Sequence, residues 1–258
     1  MSLDLYCGSL SKFYSRDFET PQAKFARENG FEYQLVYEGE PIDWFNPVEA
    51  RDKADAFIEK LTSRLGEKEN TCRWDDKRTE YAVEQLHVRS LSALLLTAAY
   101  LYRSDLQRPE HVPEGFESDP AYEESSDREY YIGPLAILES HIFLPCDADS
   151  LFWDENPLGF DKFVTTTGNL RYALNWLADK RWNGNVEADK WFNRGPAPSA
   201  GKTLVQEKSI VPWRKKWRDK FEEVPANSLN WDAEYAFGCF SRLLDFSDRT
   251  GLPLLMDV

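Results

Sequence analysis

The sequence predicts an α+β fold, mostly helical, with several short strands forming a small mixed or antiparallel sheet. Three observations predict it. Apolar residues recur at the helical period near residues 47–65, 79–103, 169–180 and 229–249. Strand candidates are short and scattered. Their spacing is not the regular strand–helix alternation of a doubly wound sheet.

Residues 3–7 form a short apolar run that reads as a strand. Thr20-Pro21 is a helix start with Pro at the first helical position, and Asn29-Gly30 is a stop. Residues 31–37 alternate and read as a second strand. Pro47 opens a helix to about Leu65, with Ala50, Ala54, Phe57, Ile58, Leu61 and Leu65 on one stripe. A stronger helix is expected over 79–103. Pro109, Pro113, Gly115 and Pro120 make 109–127 a loop. Residues 130–144 are apolar and fit strand or helix. Residues 151–153 and 162–166 are strand candidates around Asn156-Pro157-Leu158-Gly159. A helix over 169–180 precedes a Gly- and Pro-rich stretch at 183–202, which reads as the internal linker. A single domain over 1–258 is expected, with a possible subdivision there into a main body, 1–182, and a C-terminal helical part, 203–258. Pro212 opens a basic helix, a last helix runs over 229–249, and 252–256 returns as a strand.

The chain has 258 residues, 42% of them hydrophobic and 29% charged, so it should fold around a sizeable core. No apolar run spans a membrane; the longest, 91–102, reads as a buried helix. Residues 1–10 lack the basic and long apolar regions of a signal peptide. Cys7, Cys72, Cys146 and Cys239 are 65, 74 and 93 residues apart, so no C-x-x-C pair exists. Free thiols in a reducing cytosol are the expectation, and with them a cytoplasmic protein.

Each segment that resembles a catalytic or metal motif also fits a plainer role. Residues 195–203 read G-P-A-P-S-A-G-K-T, but five residues separate the glycines and two prolines remove amide donors that must face phosphate. Asp147-Ala148-Asp149 begins like a calcium loop, yet Phe152 stands where Gly is required and Leu158 where Glu is required. Ser9-Leu10-Ser11-Lys12 matches S-x-x-K without its companion motifs. Glu84 and His87 would share a helix face, but no second E-x-x-H occurs. Cys7, Glu139 and His141 form an imaginable nucleophile–base set if they meet; a buried Cys and a core His are the alternative. No catalytic, cofactor-binding or metal residues are expected, and no cofactor.

Charge patterning is the most informative feature. Residues 105–155 hold fourteen Asp or Glu and only two Arg, in a chain of formal net charge -14. Such a field attracts basic partners and repels nucleic acid. Tyr122, Tyr130 and Tyr131 lie among the acids as potential anchors. The expected partner-binding residues are Glu114, Glu117, Asp119, Tyr122, Glu123, Glu124, Asp127, Glu129, Tyr130 and Tyr131. A merely solvated acidic loop is the alternative. Residues 202–220 carry seven Lys or Arg and two acids, with Trp213, Trp217 and Phe221 at i, i+4 and i+8. That pattern reads as an amphipathic basic helix, with Trp213, Lys216, Trp217 and Lys220 as a secondary surface; aromatics docked on the core, with the charges over the chain's own acidic segment, are the alternative.

The function expected first is an acidic module that binds a basic protein, with an immunity- or antitoxin-type inhibitor of a nuclease-like toxin as its concrete form. An enzyme acting on a small or carbohydrate-like substrate is the second reading. A scaffold protein binding through the basic aromatic helix is the third.

Overall fold

A computed structural model describes residues 2–19, 21–32, 36–37, 40–41, 46–66, 72–126, 133–198, 202–211, 214–223 and 226–257. In chain order the first elements are β1 (Ser2–Cys7), α1 (Leu10–Tyr14), α2 (Pro21–Asn29), β2 (Val36–Tyr37), β3 (Glu40–Pro41), α3 (Pro47–Gly66), β4 (Ala82–His87) and α4 (Val88–Tyr102). After a 3-10 turn at Phe116–Ser118 come α5 (Pro120–Ser126), α6 (Pro134–Leu138), β5 (Ile142–Leu144), β6 (Phe152–Glu155) and β7 (Asp161–Thr166). The last are α7 (Thr167–Trp182), α8 (Ala188–Arg194), β8 (Lys202–Val211), β9 (Arg214–Glu223), α9 (Leu229–Thr250) and β10 (Leu254–Asp257). The fold is α+β, as the sequence predicts. No helix among the described residues is long and apolar enough to cross a membrane.

The chain divides into two compact units, one of Ser2–Leu86, Ile132–Asn175 and Leu243–Val258, the other mainly of His87–Tyr131 and Trp176–Arg242. Neither unit ends at 183–202.

The first unit holds a six-stranded mixed sheet in the order β4-β1-β10-β5-β7-β6. β10 pairs antiparallel with β1 and with β5, β5 runs parallel to β7, and β6 and β7 form a hairpin. Leu254, Leu255 and Met256 are all buried, as a central strand covered on both faces requires. The α3 stripe is realised: Ala54, Phe57, Leu61 and Leu65 pack with Tyr6, Leu10, Ile142, Val164 and Leu255 in one core. Cys72 and Cys146 are joined by a disulfide across 74 residues, Cα to Cα 5.1 Å, which corrects the free-thiol expectation for this pair. Wide spacing excludes a C-x-x-C site but says nothing about which thiols meet in the fold. Cys7 and Cys239 are buried and stand outside the disulfide.

In the second unit a smaller cluster joins Ala93 and Leu96 of α4 to Leu229 and Ala233 of α9. A Cβ on Gly238 would lie 2.7 Å from the Ala188 carbonyl oxygen, so α8 lies directly on α9 there. The stretch expected to be a linker therefore carries a packed helix with a buried Trp191, and Ala197 beyond it is buried too.

Three further element expectations are corrected. The single helix over 79–103 is β4 followed by α4. His87, with extended backbone, accepts from the Arg89 amide through Nδ1 at 3.2 Å and so caps the helix. Sheet pairing overrides the weak helical preference of residues 82–87, and Glu84 and His87 share no helix face. The basic helix expected at 212–221 is corrected over residues 214–221, which lie on strand β9, paired antiparallel with β8 from Lys202↔Glu223 to Val211↔Arg214. Spacing of i, i+4, i+8 is even, so it suits a strand of period two as well as a helix. The loop at 109–127 contains α5. Of the strand expected at 31–37, Val36–Tyr37 is β2, Phe31 and Glu32 are outside any strand, and 33–35 lie outside the described residues.

Candidate functional site

The acidic segment is built onto the second unit. Asp119 accepts the Ala121 amide through Oδ1 at 2.9 Å, and Pro120 follows at the first helical position, which starts α5. The second carboxylate oxygen of Asp119 accepts the Tyr100 hydroxyl at 3.0 Å. Burial, then this bond, pushes the Tyr100 hydroxyl up to about 12. Phe116 and Tyr122 meet edge to face, centroids 5.0 Å apart, and both pack on the α4–α9 cluster with Val112. The Leu229 amide donates to the Glu110 carbonyl at 3.0 Å, and His111 bridges to Ser228. Residues 110–126 are thus tied down at several points.

The expected partner-binding residues divide accordingly. Glu114, Glu117, Glu123 and Glu124 are exposed. Glu124 pairs with Arg103, whose guanidinium also grips Asp105 at 2.8 and 2.9 Å. That grip holds the Asp105 carboxyl down at about 2. Among the described residues, no cation pairs with Glu114, Glu117 or Glu123. Asp119 and Tyr122 are only partly exposed: one caps a helix and the other packs on the α4–α9 cluster. Asp127, Glu129, Tyr130 and Tyr131 lie outside the described residues. Trp213 does too, and the Lys216, Trp217 and Lys220 positions fall on β9 rather than on a helix.

The Cys-His-Glu set does not assemble a nucleophile. The buried Cys7 thiol donates to the Leu252 carbonyl at 3.6 Å, and burial pushes it up to about 12. A thiol held protonated is no nucleophile at neutral pH. His141 is a sheet-building residue: its amide donates to Phe163 O at 2.8 Å and its Nδ1 accepts the Phe163 amide at 3.2 Å. Burial, then the charge of Lys162, pulls its imidazole down to about 4. Glu139 caps the end of α6 and is not on a strand with His141.

The His141 burial sets a pH dependence. Between its ordinary value near 6.5 and about 4, the unfolded chain binds the proton and the folded chain does not. Its contribution to stability is full above pH 6.5 and lost as pH falls through that window. The urea midpoint is expected to drop between pH 7 and pH 4.5, and His141→Gln is expected to flatten that part of the profile. A variant as steep as the parent would assign the slope to other groups.

A cleft of about 560 Å³ in the first unit is lined by α3 residues Lys53, Phe57 and Lys60 and by Glu155, Asn156 and Leu158. Glu49, also in its wall, pairs with Lys53 at 2.8 Å and is held below the usual carboxylate range by that bond. Acid-assisted hydrolysis requires a carboxyl raised above its usual range, so Glu49 gives the carbohydrate reading no support. Asp147, read as part of a possible calcium loop, pairs with Arg171 at 2.9 Å.

The chain matches no family model, no curated protein and no solved structure at a significant level.

Proposed function

We propose that the chain is a binding module for a basic protein, docking on the acidic surface of residues 110–126. The observation that carries the proposal is the exposure of Glu114, Glu117 and Glu123 on backbone that Phe116 and Tyr122 pin to the α4–α9 cluster. Carboxylates fixed in this way are pre-organised, so less conformational freedom is lost on binding. They also steer a cationic partner, raising association rates at low salt.

The concrete form of the proposal is an immunity- or antitoxin-type inhibitor of a nuclease-like toxin. Such an enzyme must attract phosphate and therefore presents a positive surface that clustered carboxylates complement. With Tyr122 engaged in packing, the aromatic anchors of the interface fall to Tyr130 and Tyr131. Disulfides persist in oxidising compartments, so the Cys72–Cys146 bond favours an encounter there over the reducing cytosol expected from cysteine spacing.

The test is binding by the variant Glu114→Lys, Glu117→Lys, Glu123→Lys. A basic protein captured by the parent from host lysate, then purified, is expected to bind the variant at least about tenfold more weakly, with the difference shrinking as salt rises. Equal affinity of parent and variant for that protein would remove the surface from the proposal.

A further inference from the structure

The second unit also contains an arginine arrangement that the acidic surface does not use. Arg108, beyond the end of α4, and Arg181, near the end of α7, both donate to one atom, Oδ1 of Asn230, at 2.6 and 2.7 Å. Arg108 donates once more, to Thr97 Oγ1 at 2.6 Å. Two guanidinium groups converging on one neutral oxygen repel each other, and a single amide oxygen offsets little of that. Among the described residues neither arginine forms an ion pair. Glu234 is close enough to act on Arg108 through space, but its carboxylate is bound directly by Arg194. The Nε atoms of Arg108 and Arg181 are buried without a hydrogen-bond partner among the described residues. Burial, and then the like charge of Arg181, pull the Arg108 guanidinium down to about 10.

Asn230 is exposed, and it stands second in the 22 residues of α9. The positive end of that helix dipole therefore adds to the two guanidinium charges. Two cations without an ion pair among the described residues, at a helix start, match a dianion better than a single carboxylate, and arginine's planar fork suits phosphate oxygens. A phosphate monoester carries about -1.5 to -2 at neutral pH. We propose that Arg108, Arg181 and Asn230 form a binding site for a phosphate dianion, free or as a monoester. The anion bridges the two guanidinium groups and takes over the role that Asn230 Oδ1 fills alone.

Calorimetric titration and thermal melting of the full chain test this, with inorganic phosphate and phenyl phosphate as probes and chloride at matched ionic strength as control. The parent is expected to bind a phosphate probe and to melt higher with it than in chloride. Arg181→Gln is expected to weaken binding at least about tenfold. Asn230→Asp places a permanent carboxylate between the arginines. It is expected to raise the melting temperature without any probe and to abolish the phosphate response, which a merely disrupted fold would not do. Tighter binding of phenyl phosphate assigns the site to esters, and tighter binding of inorganic phosphate to the free ion. A parent that responds no more to phosphate than to chloride, or variants that respond as the parent does, would overturn the proposal.

Discussion

Asp232→Ala is expected to destabilise the protein by about 3 to 5 kcal/mol, the range for removing one partner of a buried, hydrogen-bonded charge pair. The Asp232 side chain is fully buried and accepts Arg89 Nε through Oδ2 at 2.7 Å. Its other oxygen accepts the Ser90 hydroxyl at 3.0 Å and the Ala197 amide at 2.9 Å. Arg89 completes the network by donating to Asn227 Oδ1 and to the Ala197 carbonyl. One carboxylate therefore joins the start of α4, the segment after α8 and the first turn of α9. Without it the Arg89 charge loses its counter-ion and two buried donors lose their acceptor. Asp232→Asn keeps the shape and one acceptor, so a smaller loss is expected, about 2 kcal/mol. Guanidinium unfolding with an unchanged m-value is the measurement. A loss under about 1 kcal/mol for the Ala variant would mean that the network is not intact in solution.

The second large effect concerns the disulfide. Cross-linking residues 74 apart removes chain entropy from the unfolded state, about 4 kcal/mol on the loop-closure account. Paired replacement of Cys72 and Cys146 by Ser is expected to lower stability by that order. Alkylation of the unfolded, unreduced protein should modify two thiols, Cys7 and Cys239, and all four cysteines after reduction. Four reactive thiols before reduction, together with an unaffected melting point in the Ser variant, would contradict the bond.

Much of the fold was legible because local signals and tertiary context agreed. The α3 stripe, the Pro21 start with its Asn29-Gly30 stop, and the long α9 follow from periodicity and capping alone. The strand β10 was legible as an apolar return after Gly251. The two helix-for-strand misreadings share one cause: residues whose pattern fits two periods are decided by pairing partners far away in sequence. Residues 82–87 continue a helical pattern but belong to the sheet, and 214–223 have an even aromatic spacing that a hairpin accepts equally well. For α5 the signal was present and outweighed: Asp119-Pro120 is a helix start, obscured by the surrounding prolines and glycine.

The candidate site was half legible. Sequence locates the carboxylates, since charge is a property of composition. It cannot distinguish an acid that faces solvent from one that caps a helix, nor a tyrosine that anchors a partner from one that anchors its own loop. Asp119 and Tyr122 changed roles for that reason. The Arg108–Asn230–Arg181 convergence had no sequence signal, because its members are 73 and more positions apart except for the 49 between Arg181 and Asn230.

The central claim is that the partner docks on the acidic surface of residues 110–126. Amide hydrogen exchange of the chain, alone and saturated with the captured basic protein, measures this directly. Slowed exchange concentrated in the Phe116–Ser118 turn and α5, absent with the triple lysine variant, is the expected result. Protection confined to other elements, such as the β6–β7 hairpin, with residues 110–126 exchanging at the free rate, would contradict it.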